Sequence, residues 1–130
     1  MIVLDASAAV DYATGTQRAT GVWSRLRDEP QIFVPAHFDV ECGAAIRRQL
    51  LRGGIEKALA HKAIAFIRGL PAERIPLTPM LDHAFELRDR IGMHDAFYAV
   101  LAASLDAPLL TCDAALGRAL EGLVEAIVVA

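Results

Sequence analysis

Short unbroken apolar runs alternate along this chain with longer stretches in which apolar residues recur every three or four positions. Ile2–Leu4 is the first run, with the pattern of a strand buried on both faces. Ala6–Ala13 then reads as a short helix closed near Gly15, and Ala19–Arg27 as a second. Ile32–Val34 predicts a strand. Pro35 precedes a helix from about Ala36 to Arg52, which Gly53 and Gly54 stop. Ile55, Leu59, Ala63, Phe66 and Ile67 form one helical stripe across Ile55–Ile67. Ile75–Leu77 predicts a third strand. Thr78 and Pro79 supply a capping hydroxyl and a proline at the first helical position, predicting a helix to Ile91 that ends at Gly92. Asp95–Leu105 reads as a helix, Leu109–Thr111 as a strand, Ala114–Leu120 as a helix and Val124–Val129 as a last strand.

Short buried strands separated by helices make an α/β fold, with a parallel sheet covered on both faces. No linker, repeat or low-complexity segment divides residues 1–130, so the reading is one domain. In such sheets, sites form beyond the carboxyl ends of the strands. Composition adds three points. The hydrophobic share of 55% exceeds what a core this small needs, which points to a subunit or partner interface. No apolar stretch reaches the ~18 residues that span a bilayer. The chain opens directly on MIVLD with no basic segment, and Cys42 and Cys112 form no CxxC pair; both features fit a cytoplasmic protein.

Four acids occupy equivalent places in this pattern. Asp5 follows the first strand, Glu41 lies about two turns into the helix after the second, Asp95 starts a helix, and Asp113 follows the Leu109–Thr111 strand. Singly, each has a commonplace role: Asp5 and Asp113 as helix caps, Asp95 as a partner of the helix dipole, Glu41 as a solvated helix residue. Glu41 fits that role poorly, because Phe38, Val40, Cys42, Ala44 and Ala45 surround it. Gathered at one sheet edge, four carboxylates repel one another. They then make sense as a socket for a hard divalent cation, Mg²⁺ or Mn²⁺.

The segments VLDASAAVDY, DVECGAAI, HDAFYAVLA and TCDAAL, in this order and spacing, resemble the PIN-domain ribonucleases, and among them the VapC toxins of bacterial toxin–antitoxin pairs. The resemblance covers essentially the whole chain. It implies a three-layer α/β/α sandwich, a homodimer, a small cognate antitoxin, and Mg²⁺- or Mn²⁺-dependent cleavage of RNA. Asp5, Glu41, Asp95 and Asp113 match the acidic quartet, with Asp5, Asp95 and Asp113 as metal ligands and Glu41 or Asp113 orienting water. Ser7 and Thr111 match polar positions lining the same pocket as substrate contacts. Cys112 departs from the charged or polar residue usual before the last aspartate. Water rather than a 2′-hydroxyl would attack, leaving 5′-phosphate and 3′-hydroxyl ends, since no histidine pair is placed for the cyclic-phosphate route.

Other residues are read from position alone. Arg48 and Arg52 lie seven and eleven residues after Glu41. At ~100° per residue they share its helix face, placed either to meet successive phosphates of an RNA substrate or to salt-bridge to neighbours or a partner chain. Asp11, six residues after Asp5, is read as pointing elsewhere. His94 is read as a local or substrate-facing residue, and Phe97 and Tyr98 as core. His37, His61 and His83 have no zinc-like spacing with the cysteines. Two other classes share strand-end acids. A phosphatase wants DxD where this chain has Asp5-Ala6-Ser7, and a receiver domain wants a lysine after a late strand, which Lys57 and Lys62 do not supply. A non-catalytic partner-binding module is the third alternative.

Overall fold

The computed structural model describes all residues, Met1–Ala130. Five strands, β1 (Ile2–Leu4), β2 (Ile32–Pro35), β3 (Ala72–Ile75), β4 (Leu109–Thr111) and β5 (Ala126–Val128), form one sheet in the order β3-β2-β1-β4-β5. Every neighbouring pair is parallel. Seven helices connect the strands: α1 (Ala6–Thr14), α2 (Ala19–Leu26), α3 (Phe38–Leu51), α4 (Lys57–Gly69), α5 (Leu81–Glu86), α6 (Met93–Leu105) and α7 (Ala114–Ala119). Helices α1 to α4 pack together as one layer, while α6 lies across β1, β2 and β4 with α5 against it. This is the expected sandwich.

The burial gradient explains which strands the apolar pattern revealed. Central β1 and β4 are wholly buried, whereas the edges β3 and β5 are half-buried or exposed. Strand β3 starts three residues before its predicted place because it reads Ala-Glu-Arg-Ile, and an edge strand needs no continuous apolar run. Helix α3 starts at Phe38 rather than Ala36. Pro35 still pairs with Ile75 and the Ala36 N–H donates to the Ile75 carbonyl at 2.8 Å, so the sheet holds the chain longer. Glu41 therefore sits in the first turn of α3, not two turns in. The helix predicted from Thr78 to Ile91 breaks into a 3₁₀ turn at Thr78–Met80, the short α5, and turns through Leu87–Ile91. That last stretch offers only Leu87 and Ile91 to the core, too few to hold a helix. Gly15 and Gly53 end α1 and α3 at φ of 70° and 76°, where a side chain would be strained.

One arginine fastens the α3–α4 side of the sheet. All five N–H groups of Arg74 are used: two on the Asp39 carboxylate at 3.3 and 2.9 Å, and three on the carbonyls of Ile67, Leu70 and Ala72 at 2.9 to 3.0 Å. The carbonyls close the end of α4; Asp39 is in the first turn of α3. Asp39 is half exposed, so its ion pair contributes little. We expect Arg74→Ala to lower unfolding free energy by about 2 kcal/mol in urea titration, and Asp39→Asn by less than about 1 kcal/mol. Equal losses would show that the ion pair, not the carbonyl cap, does the holding.

Candidate active site

The sheet order places its switch point between β1 and β4: the chain winds outward from β1 to β3, then crosses back to β4. The crevice beyond the carboxyl ends of those strands is the expected ligand position. An open cleft of about 680 Å³ lies there, lined by Asp5, Glu41, Asp95 and Asp113 together with Ser7, Asp11, His37, Arg48 and His94. All four predicted acids thus meet in one place.

Asp5 occupies the N-cap position of α1 but makes no cap hydrogen bond. Its Oδ2 instead accepts from Ser7 Oγ at 2.6 Å and Thr111 Oγ1 at 2.7 Å. Each hydroxyl has one proton, and both protons go to Asp5. Each hydroxyl in turn accepts a backbone N–H, from Cys112 onto Ser7 and from Asp113 onto Thr111, both at 3.0 Å. Register makes this possible, because Leu4 pairs with Leu110 and Asp5 follows next to Thr111. Burial raises the Asp5 pKa above the ordinary carboxylate value, the two hydroxyls and the Ala6 backbone oppose that rise, and Asp113 adds to it. Thr111 is completely buried, so it lies beneath the carboxylate rather than on the cleft wall, where it positions Asp5.

Glu41 is held in the same manner. Its Oε1 accepts from Tyr98 O–H at 2.7 Å and lies 3.2 Å from His37 Nε2. Asp113 does cap its helix, accepting from the Leu116 N–H at 3.0 Å through Oδ1. Asp95, in the first turn of α6, accepts no side-chain hydrogen bond. Its pKa is raised to about 6, first by burial, then by the charges of Asp5, Asp113 and Glu41, with His94 pulling it down. The four carboxylates therefore feel one another. Burial, helped by the Asp11 carboxylate, pushes the Cys112 thiol up to about 12, so this departure from the family pattern brings no reactive thiolate.

Two side chains stand differently from their predicted places, and two make contacts beyond them. Arg48 lines the cleft, whereas Arg52 lies at the exposed end of α3 outside it. Asp11 lines the cleft rather than pointing elsewhere, and pairs with Arg18 at 3.7 Å. The readable signal was its spacing of four from Ser7, not of six from Asp5. Tyr98 is core, as read, but its hydroxyl also reaches Glu41. His37, read only for zinc, bonds the His94 carbonyl at 2.9 Å.

The donor set is carboxylate oxygen, which suits a hard cation. No three Asp, Glu, His or Cys side chains close around one point. An ion held here would therefore take one or two carboxylates directly and reach the others through water, as Mg²⁺ commonly does, and the site fits on those terms.

A profile described as PIN domain matches residues 2–120. Ribonuclease VapC12 of Mycobacterium tuberculosis is 41% identical over 118 residues, covering 91% of this chain and 91% of its own. Ribonuclease VapC1 of the same organism is 35% identical over 118 residues, covering 90% and 89%. In solved structures, the fold is shared with a toxin–antitoxin complex from Klebsiella pneumoniae, with TM-score 0.72, 13% identity, and coverage of 100% and 98%. It is shared also with M. tuberculosis VapC20, a sarcin-ricin loop cleaving toxin, with TM-score 0.70, 17% identity, and coverage of 96% and 98%.

The raised Asp95 carboxyl has a consequence for stability. An acid whose pKa is higher in the folded state binds its proton more tightly there than when unfolded. Its contribution is complete below the ordinary value of 3.8 and is lost as pH rises through about 6. With divalent ions chelated, the melting temperature should therefore carry an Asp95 term that grows as pH falls from about 7 towards 5, and Asp95→Asn should flatten the profile in that window. Parallel profiles for the two proteins would mean that Asp95 is not strained by its neighbours.

Proposed function

The chain belongs to the PIN-domain family, and from that premise we propose that the acidic cleft is the active site of a metal-dependent endoribonuclease, the toxin of a toxin–antitoxin pair. The observation that carries this reading is the meeting of Asp5, Glu41, Asp95 and Asp113 in one cleft at the sheet's switch point. The relatives named ribonucleases span nearly the whole chain and support the same reaction.

PIN-domain ribonucleases are generally metal-dependent, and the oxygen-only donor set favours Mg²⁺ or Mn²⁺ here. Asp5, Asp95 and Asp113 would hold the ion, some of them through water. When bound, the ion supplies an activated water and offsets charge on the phosphoryl oxygens. The two hydroxyls that donate to Asp5 stabilise its ionised form against the burial that favours the neutral acid. Glu41, fixed through Oε1, has Oε2 free of side-chain donors and able to orient the attacking water for in-line displacement. Arg48, on the cleft wall, is placed to contact a phosphate flanking the scissile one.

Partners follow from the same reading. A homodimer and a cognate antitoxin would cover apolar surface that the fold leaves out. Leu81 and Phe85 of α5 are about half exposed beside an apolar groove between α5 and α6, and Val40 at the cleft is 73% exposed. An antitoxin segment laid across the protein would bring a basic side chain to the acidic cleft and compete for its charge. No helix is long and apolar enough to cross a membrane. Cys42 and Cys112 are free thiols, which fits a cytoplasmic location.

Incubated with RNA and Mn²⁺, the wild type should yield fragments with 5′-phosphate ends. Asp5→Asn and Asp95→Asn should abolish cleavage while circular dichroism shows intact secondary structure. Wild-type rates in either variant would remove that residue from the mechanism.

Ion binding is tested separately by thermal unfolding. A ligand bound only by the folded state adds about 2.7 kcal/mol at a hundredfold excess over its Kd. Mn²⁺ should raise the melting temperature of the wild type clearly more than that of Asp95→Asn; identical shifts would put the ion elsewhere.

A further inference from the structure

We propose that His37 is a positioning residue of this site: its Nε2–H, shared between the His94 carbonyl and Glu41 Oε1, fixes the Glu41 carboxylate against the start of the helix that carries Asp95. The inference rests on the nuclease reading of the cleft and adds a residue to it.

The argument begins with the proton. Nε2 lies 2.9 Å from the His94 carbonyl oxygen and 3.2 Å from Glu41 Oε1. Both neighbours are acceptors, so Nε2 must carry the hydrogen. The other nitrogen gives the same answer. Nδ1 is buried and has no partner, and a hydrogen placed there would be a stranded donor. The ring is wedged against α6, with centroids 5.4 Å from Phe97 and 5.3 Å from Tyr98, which leaves its plane little freedom.

The position of His37 then matters. It is the N-cap residue of α3, so Glu41 stands one turn above it on the same face. Its other contact, the His94 carbonyl, belongs to the residue just before Asp95. One N–H thus ties the element bearing Glu41 to the element bearing Asp95. Tyr98 O–H adds a second donor to the same Oε1 atom. Two donors on one oxygen fix the rotation of the carboxylate and leave Oε2 free. Without His37, Glu41 would pivot about the single Tyr98 contact, and its repulsion from Asp95 would no longer be restrained.

The test compares two substitutions of similar size. The amide nitrogen of glutamine can reach the place of Nε2, whereas that of asparagine falls near Nδ1. We expect His37→Asn to lower kcat for RNA cleavage about 10- to 100-fold, as loss of an orienting partner typically does, with KM within about twofold. His37→Gln should recover most of that loss, which a purely structural role would not predict. On the wild type, without RNA or metal, two-bond ¹H–¹⁵N correlation should find the His37 proton on Nε2. A proton on Nδ1 would overturn the inference whatever the kinetics show. So would equal kcat values for the folded Asn and Gln variants. A wild type with the Nε2–H form that does not cleave RNA would instead overturn the nuclease reading, and with it the catalytic use of this contact.

Discussion

Four carboxylates in one cleft repel one another, and the protein restrains three of them by holding one oxygen of each rather than both. Asp5 is gripped at Oδ2 by Ser7 and Thr111, Glu41 at Oε1 by Tyr98 and His37, and Asp113 at Oδ1 by a backbone N–H. The grip decides orientation and leaves the second oxygen for a ligand. Donors on the ionised form also oppose the pull of burial toward the neutral acid. Asp95 has no such grip, and burial and then the surrounding charges lift its carboxyl to about 6. The site is thus three anchored carboxylates beside a fourth that nothing anchors.

These anchors depend on the sheet. Thr111 reaches Asp5 only because β1 and β4 are adjacent and parallel in the register that sets Leu4 beside Leu110. Tyr98 reaches Glu41 only because α6 crosses β1 and β2 on the way back to β4. The central strands are wholly buried, so their register cannot slip without exposing apolar side chains. Stability of the core and geometry of the cleft are therefore one property. A slip of one residue would turn Thr111 to the opposite face of the sheet and leave Asp5 buried with a single donor.

Much of this was legible in the chain. β1 and β4 announce themselves as unbroken apolar runs because both faces are covered, and Asp5 and Asp113 follow from where those runs end. Strand β3 was misplaced because half-exposed edges tolerate Glu73 and Arg74. Glu41 was placed a turn too deep because the Ala36 bond to Ile75 delays the helix, and such a bond between distant segments leaves no local trace. Tyr98 is invisible for the same reason, as is the tie from His37 to the His94 carbonyl: each spans 57 residues. Asp11 differs, since its place one turn after Ser7 is a local spacing that the sequence does carry.

The remaining tension is between the cleft and its proposed substrate. RNA is a polyanion, the chain carries a net charge of −3, and the cleft adds Asp11 to its four acids. Arg18 lies 3.7 Å from Asp11, but it is about half exposed and neutralises that carboxylate only weakly. Arg48 is the one arginine on the cleft wall, and Arg52 stands outside it. On these charges alone the cleft repels a phosphate. A divalent cation reverses that sign locally, so the same carboxylates that exclude RNA from the empty cleft would admit it once loaded. Substrate binding and chemistry would then answer to one event, and anything basic that occupies the acids would block both together.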